Sequence, residues 1–277
     1  CLETAKTVSP VISKDARKVY ETKLSEAKVD FEKNPDADAL IWLGRRTAYL
    51  GNYKESIKIF TDGIAKFPKD ARFYRHRGHR FITIRCFDDA VKDFETAVKL
   101  TKGKKDEIEP DGIPNARNIP TSTLQSNIFY HLGLAYYVQG NFKKALKAYR
   151  ECEKVSNNPD MAVATKHWLY MTLRRLKKDA EAEKSIADIK DNLEIIENDD
   201  YYKLIKLYQG KLREDEFVKN LGVSADDLGN VSLAYGLGNW YLYNGKKDTA
   251  LNLFRQINIG NQWASFGFIA AEAELRR

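Results

Sequence analysis

A residue pattern that returns every 34 positions limits what this chain can fold into more than any other feature. Counting Leu43-Gly44 as positions 7 and 8 starts a unit at Ala37, with Gly51 at 15, Tyr53 at 17, Phe60 at 24, Gly63 at 27 and Pro68 at 32. The next unit follows at Ala71 without a gap and places Tyr74 at 4, Gly78 at 8, Phe81 at 11, Phe87 at 17, Ala90 at 20, Phe94 at 24 and Ala97 at 27. A third unit, from Ser126, fits best: Phe129, Leu132-Gly133, Tyr136, Gly140, Phe142, Ala145, Tyr149 and Cys152. A unit from Val231 repeats the scheme with Leu237-Gly238, Tyr241, Gly245, Ala250 and Phe254, and a half unit over 260–277 carries Trp263, Phe266 and Gly267. Two weaker units lie between, over 163–196 and, in degenerate form, over 199–220.

Each residue type has a physical job. Large apolar side chains at 4, 7, 11, 17 and 24 fill the space between two antiparallel helices and the next pair. Glycine at 8 and alanine at 20 and 27 let backbones approach closely. Glycine at 15 permits the turn between helices, and proline near 32 ends the second helix. The pattern resembles the tetratricopeptide repeat family over 37–104 and 126–277. That resemblance implies an all-α fold, a right-handed α-α superhelix of antiparallel helix pairs. The stretches PNARNIPTSTLQSNIFYHLGLAYY, HWLYMTLRRL and GLGNWYLYNG resemble a bacterial group within the family, which implies a bacterial, exported protein.

The units are framed by other segments. Residues 14–33 read as one amphipathic capping helix stopped by Asn34-Pro35, ahead of repeats at 37–70 and 71–104. An insert at 105–125 holds Pro110, Pro114 and Pro120, so it is extended rather than helical, and Ser122 or Thr123 is placed to cap the helix of repeat 126–159. Such an insert is either a binding element or a spacer. Repeat 231–259 and the half repeat close the array.

Composition then narrows the function. The net charge of +7 is concentrated in residues 37–104, where 15 Lys and Arg face 8 Asp and Glu. A basic half suits an acidic peptide, an anionic surface or nucleic acid. The interleaved aromatic–basic platform expected for single strands is missing there, so nucleic acid is not favoured. No signature for hydrolysis, phosphate binding or redox chemistry is found, and no cofactor is implied. His76 and His79 in RHRGHR share a helix face but lack carboxylate or thiol partners for a metal. The expectation is a non-catalytic scaffold that holds a protein or peptide in its concave groove, with a small-ligand or glycan-binding lipoprotein as the alternative.

In the family the first helix of each unit lines that groove, at positions near 2, 5, 6, 9, 12 and 13. The resemblance therefore assigns to it Arg45, Tyr49, Arg72, Arg75, His79, Asn127, Tyr130, His131, Tyr137, His167, Arg174, Tyr235, Asn239 and Tyr243. His131 and His167 are expected to be hydrogen-bonded structural residues. Family members that grip a C-terminal carboxylate use Lys at 5 and Asn at 9 of one unit and Asn at 6 of the next. Ile41, Arg45 and His76 stand at those places, so Arg45, Arg75 and His79 point to a looser anion site. The meeting point of the basic units, the insert and His131 is the most promising part of the groove.

The three cysteines, Cys1, Cys86 and Cys152, are spaced as neither a zinc site nor a disulfide framework. A mature bacterial lipoprotein begins with a lipidated cysteine. On that reading Cys1 carries a lipid, residues 1–13 form a tether, and the protein is exported and membrane-anchored; the alternative is cytoplasmic.

Overall fold

Position 8 of each repeat explains how the helices pair. In the computed structural model, which describes residues 1–220 and 231–277, a Cβ added at Gly133 would lie 2.6 Å from the Tyr149 ring. Position 8 of the first helix thus receives the ring at position 24 of the second. The same pairing joins Gly44 to Phe60, Gly78 to Phe94 and Gly238 to Phe254. Those rings are fully buried, and any side chain larger than glycine would push the two helices apart.

The described residues form fourteen helices and no named strand. The helix α1 (Lys14–Lys33) precedes pairs α2 (Ala37–Tyr49) with α3 (Tyr53–Lys66), α4 (Ala71–Thr83) with α5 (Phe87–Thr101), and α6 (Leu124–Val138) with α7 (Phe142–Val155). Next come α8 (Pro159–Arg175) with α9 (Asp179–Ile186), α10 (Asp199–Tyr208) with α11 (Glu214–Asn220), and α12 (Val231–Tyr243) with α13 (Lys247–Ile259); α14 (Phe266–Leu275) is last. Capping side chains fix the starts: Asp36 accepts from Ala39, Thr123 and Ser126 form a reciprocal box, and Asn158 accepts from Met161 ahead of a proline-initiated α8. The turns within pairs need a left-handed residue. Glycine supplies it at 51, 140 and 245, whereas Arg85 (φ 65°) and Lys177 (φ 58°) take it at a cost of about 1 kcal/mol or more.

The array curls until its last elements return to its early ones. α14 packs on α6 and α12, and α12 also packs on α8 and α10. Arg85 ties the return: it pairs with Glu272 at 2.9 Å, donates to the carbonyl of Trp263 and lies 3.9 Å over the Trp263 ring. Arg277 donates to the carbonyls of Tyr137 and Val138, where α6 ends.

The cysteines correct the sequence reading. Cys1 and Cys86 form a disulfide across 85 residues, which holds the N-terminal segment against the start of α5. A thioether-linked lipid at Cys1 and this bond need the same sulfur, so they exclude one another. Spacing alone hid the pairing because the superhelix brings the segment back to the second repeat. Cys152 is free and buried, and burial pushes its thiol up to about 11. No helix among the described residues is long and apolar enough to cross a membrane.

Candidate functional site

The insert lies on the concave surface of the early repeats. Its two arms run antiparallel: Glu109 N–H donates to Ser122 O, and Leu124 N–H to Glu107 O. Asp106 accepts from the Thr123 hydroxyl and from Gln125 N–H, which pins the base of the loop to the start of α6. The outgoing arm crosses α2 and α4. Arg45 donates to Pro110 O at 2.8 Å, Arg46 to Gly112 O at 2.7 Å, and Arg75 pairs with Glu109 at 2.8 Å. A Cβ at Gly112 would overlap the Tyr49 hydroxyl, so a larger residue there would have to displace that side chain.

The far tip of the loop reaches the segment ahead of α10. Asn115 and Thr121 both donate to the Glu197 carboxylate, and Arg117 pairs with Glu194. The insert is therefore a strap from the first repeat to the segment following the fourth. Its anchorage on the far side depends on Asp160, a buried carboxylate at the start of α8. Asp160 accepts from the N–H groups of Ile196, Glu197 and Asn198. Sequence reasoning missed Asp160, whose value lies in a segment thirty-odd residues downstream.

Beneath the strap, charge is uneven. Among the described residues Glu109 is the one carboxylate within ion-pair distance of Arg45, Arg75 or Arg80. Burial and the nearby guanidinium groups hold His76, His79 and His131 well below the usual histidine range, so all three are neutral. Their tautomers follow. Arg75 Nη1 faces Nδ1 of both His76 (3.1 Å) and His79 (3.4 Å), and a guanidinium only donates, so those rings carry their proton on Nε2. His131 Nδ1 faces the Asn127 carbonyl at 2.6 Å and must carry the proton itself. Burial also lowers the Arg80 guanidinium to about 10.

Several residues assigned to the groove stand elsewhere. Tyr137, Tyr235, Asn239 and His167 are fully buried. Asn239 donates to the hydroxyls of Tyr137 (2.6 Å) and Tyr235 (2.7 Å), and Tyr235 donates to Tyr137. Burial raises the Tyr137 phenol to about 12. His167 stacks on Tyr201 and meets the Tyr208 hydroxyl at 3.1 Å. Arg174 lies over the Tyr243 ring and pairs with Asp179, and Arg72 is taken up by Asp70 and Asp38. The physical reason is the tight curl: α12 and α14 fill the concave side that an open superhelix would leave to solvent. The structure does bring together Arg45, Tyr49, Arg75 and His79 under the insert, and Asn127, Tyr130 and His131 beside it.

Those last three line a cavity of about 340 Å³ at the junction of α4, α6, α8 and α10, with Arg75, Tyr201 and Phe266 in its wall. A more open groove of about 650 Å³ runs between the second repeat and the base of the insert, past Arg72, Lys104, Lys105 and Gln125.

Residues 126–159 match the family model of the tetratricopeptide repeat. Over 170 residues the chain is 24% identical to tetratricopeptide repeat protein 12 of Mus musculus, spanning 61% of this chain and 20% of that protein. Over 150 residues it is 26% identical to the small glutamine-rich tetratricopeptide repeat-containing protein 2 of Saccharomyces cerevisiae, spanning 54% of this chain and 37% of that one. The matches thus span about a fifth and about a third of these relatives. Among solved structures, YrrB, described as a TPR protein with an unusual peptide-binding site, is 16% identical at a TM-score of 0.46, with 90% of this chain and 97% of that chain covered. The described residues are all-helical, and the helix pair over 126–159 matches the tetratricopeptide repeat. Proteins built from this repeat generally mediate protein–protein interaction.

Proposed function

We propose that the protein is a non-catalytic scaffold that binds an extended acidic segment of a protein partner across α2 and α4. One observation carries this reading: that surface already holds an extended acidic segment of the chain itself. Arg45 and Arg46 grip main-chain carbonyls, which any sequence offers, and Arg75 takes a carboxylate, which selects for acid. The neutral, buried histidines around them serve packing and hydrogen bonding rather than proton transfer. The disulfide supports export to an oxidising compartment.

The test titrates a labelled peptide of sequence KDEIEPDGIPN into the full-length chain. Binding is expected to strengthen in Glu109→Gln, whose own strap is loosened, to weaken in Arg45→Ala, and to fall with added salt. If Glu109→Gln takes up no peptide at ~1 mM, a concentration that detects even weak association, the reading fails.

A further inference from the structure

The cavity at the junction of α4, α6, α8 and α10 is lined by acceptors that the fold leaves open. Its carboxylate, Glu197, has no cation. Neighbouring Glu194 takes Arg117, whereas Glu197 accepts only from the Asn115 amide and the Thr121 hydroxyl, both neutral. Each carboxylate oxygen has two lone pairs, so each can accept once more, and Glu197 is exposed. Two amide oxygens join it. Asn127 directs its Nδ2 to the Ser122 hydroxyl, and Asn198 directs its Nδ2 to the Asp160 carbonyl. Among the described residues the Oδ1 of each meets no donor, and neither oxygen is enclosed. The basic residue of the wall, Arg75, is matched by Glu109 at 2.8 Å, and His131 is neutral. With that pair cancelled, the charge of Glu197 is left over.

The rest of the wall suits a cation on an apolar stem. Rings of Tyr130, Tyr201 and Phe266 border the cavity, together with Met161 and Ala164. Aromatic faces attract a cation that has left water, and the stem packs on the apolar side chains. An anion would meet Glu197 with no unpaired cation to offset the repulsion. An ammonium brings three N–H donors, and the wall offers three acceptor groups. The volume of about 340 Å³ lies at the lower end of the roughly 300–1,000 Å³ of small-molecule sites. We infer that this cavity binds a primary ammonium on a short apolar stem, held by Glu197, Asn127 and Asn198.

The conclusion does not rest on the capture of an acidic segment across α2 and α4. Pentylamine, pentanol and pentanoate are added separately to the full-length protein at low salt, and melting temperature and calorimetric binding are followed. Saturable stabilisation by the amine, absent for the alcohol and the acid and weakened by salt, is expected. Glu197→Gln keeps an acceptor but removes the charge, and should weaken amine binding by about tenfold or more. Because Glu197 also anchors the strap, Asn127→Asp gives an independent arm: it adds a carboxylate to the wall and should tighten binding, a gain that misfolding cannot imitate. Arg45→Ala, which weakens the hold on an acidic peptide, should leave amine binding unchanged, so the two readings fail separately. The peptide acetyl-Gly-Lys-Gly-amide distinguishes the sources of the ammonium. Binding tighter than pentylamine assigns the site to a lysine side chain of a protein, and weaker binding assigns it to a free amine. The inference is overturned if no amine stabilises the protein at ~10 mM, if alcohol or acid does so equally, or if Glu197→Gln and Asn127→Asp both bind as the original chain does.

Discussion

The imidazole of His167 is buried between two phenols, 4.7 Å from the Tyr201 ring and 5.9 Å from Tyr208. Loss of solvent alone drives its pKa down to about 3. The unfolded chain takes up a proton near pH 6.5 and the folded chain does not, so protons favour unfolding. Stability is therefore full above about pH 6.5 and falls as the pH drops, by roughly 2 kcal/mol at pH 5 from this residue. His76, His79 and His131 act in the same direction. Urea denaturation between pH 7.5 and 5 should show the loss, and His167→Phe should flatten part of it; an unchanged slope would sink the assignment. Sequence placed His131 and His167 on first helices as hydrogen-bonded residues, and both are so bonded. It could not show that His167 faces Tyr208, because that contact spans 41 residues.

At the level of helices and loops, repeat phase was the readable signal. Glycine at 8 and a ring at 24 repeat in sequence, and they meet in space because both belong to one helix pair. The insert was readable only as extended and proline-rich. Its course depends on carbonyls of Pro110 and Gly112 meeting Arg45 and Arg46, and main-chain acceptors leave no mark in a sequence. Asp160 was invisible for the same reason, since its partners are backbone N–H groups. Asp160→Ala leaves three part-buried backbone donors without their acceptor and should cost about 1–3 kcal/mol. Hydrogen exchange of residues 194–198 should accelerate with it, while Asp160→Asn, which keeps an acceptor, should retain part of the protection. Unchanged exchange in Asp160→Ala would show that the segment is held by other means.

The whole molecule departs most from a sequence reading. An open groove was expected along all the repeats, but curvature is set by many small packing angles that no single residue announces. Tyr137, Tyr235 and Asn239 occupy groove positions and are nonetheless interior, because α12 and α14 close over them. The disulfide belongs to this scale too. By chain entropy, a bridge across 85 residues is worth roughly 4–5 kcal/mol. Reductant should lower the melting temperature of the original chain and leave Cys86→Ser unaffected; equal melting with and without reductant would argue against the bond.

Closure through Arg85 has a kinetic meaning. Repeat arrays assemble from neighbours, so their contacts are short in sequence and form fast. The pair Arg85–Glu272 joins residues 187 apart. Such distant points meet only after the folded repeats between them have curled far enough to bring them together. The last half repeat has no finished surface to dock on until the second and third repeats stand. Folding of this chain therefore ends in a latching step, and unfolding begins with its release: a spring that must be unhooked before it can uncoil.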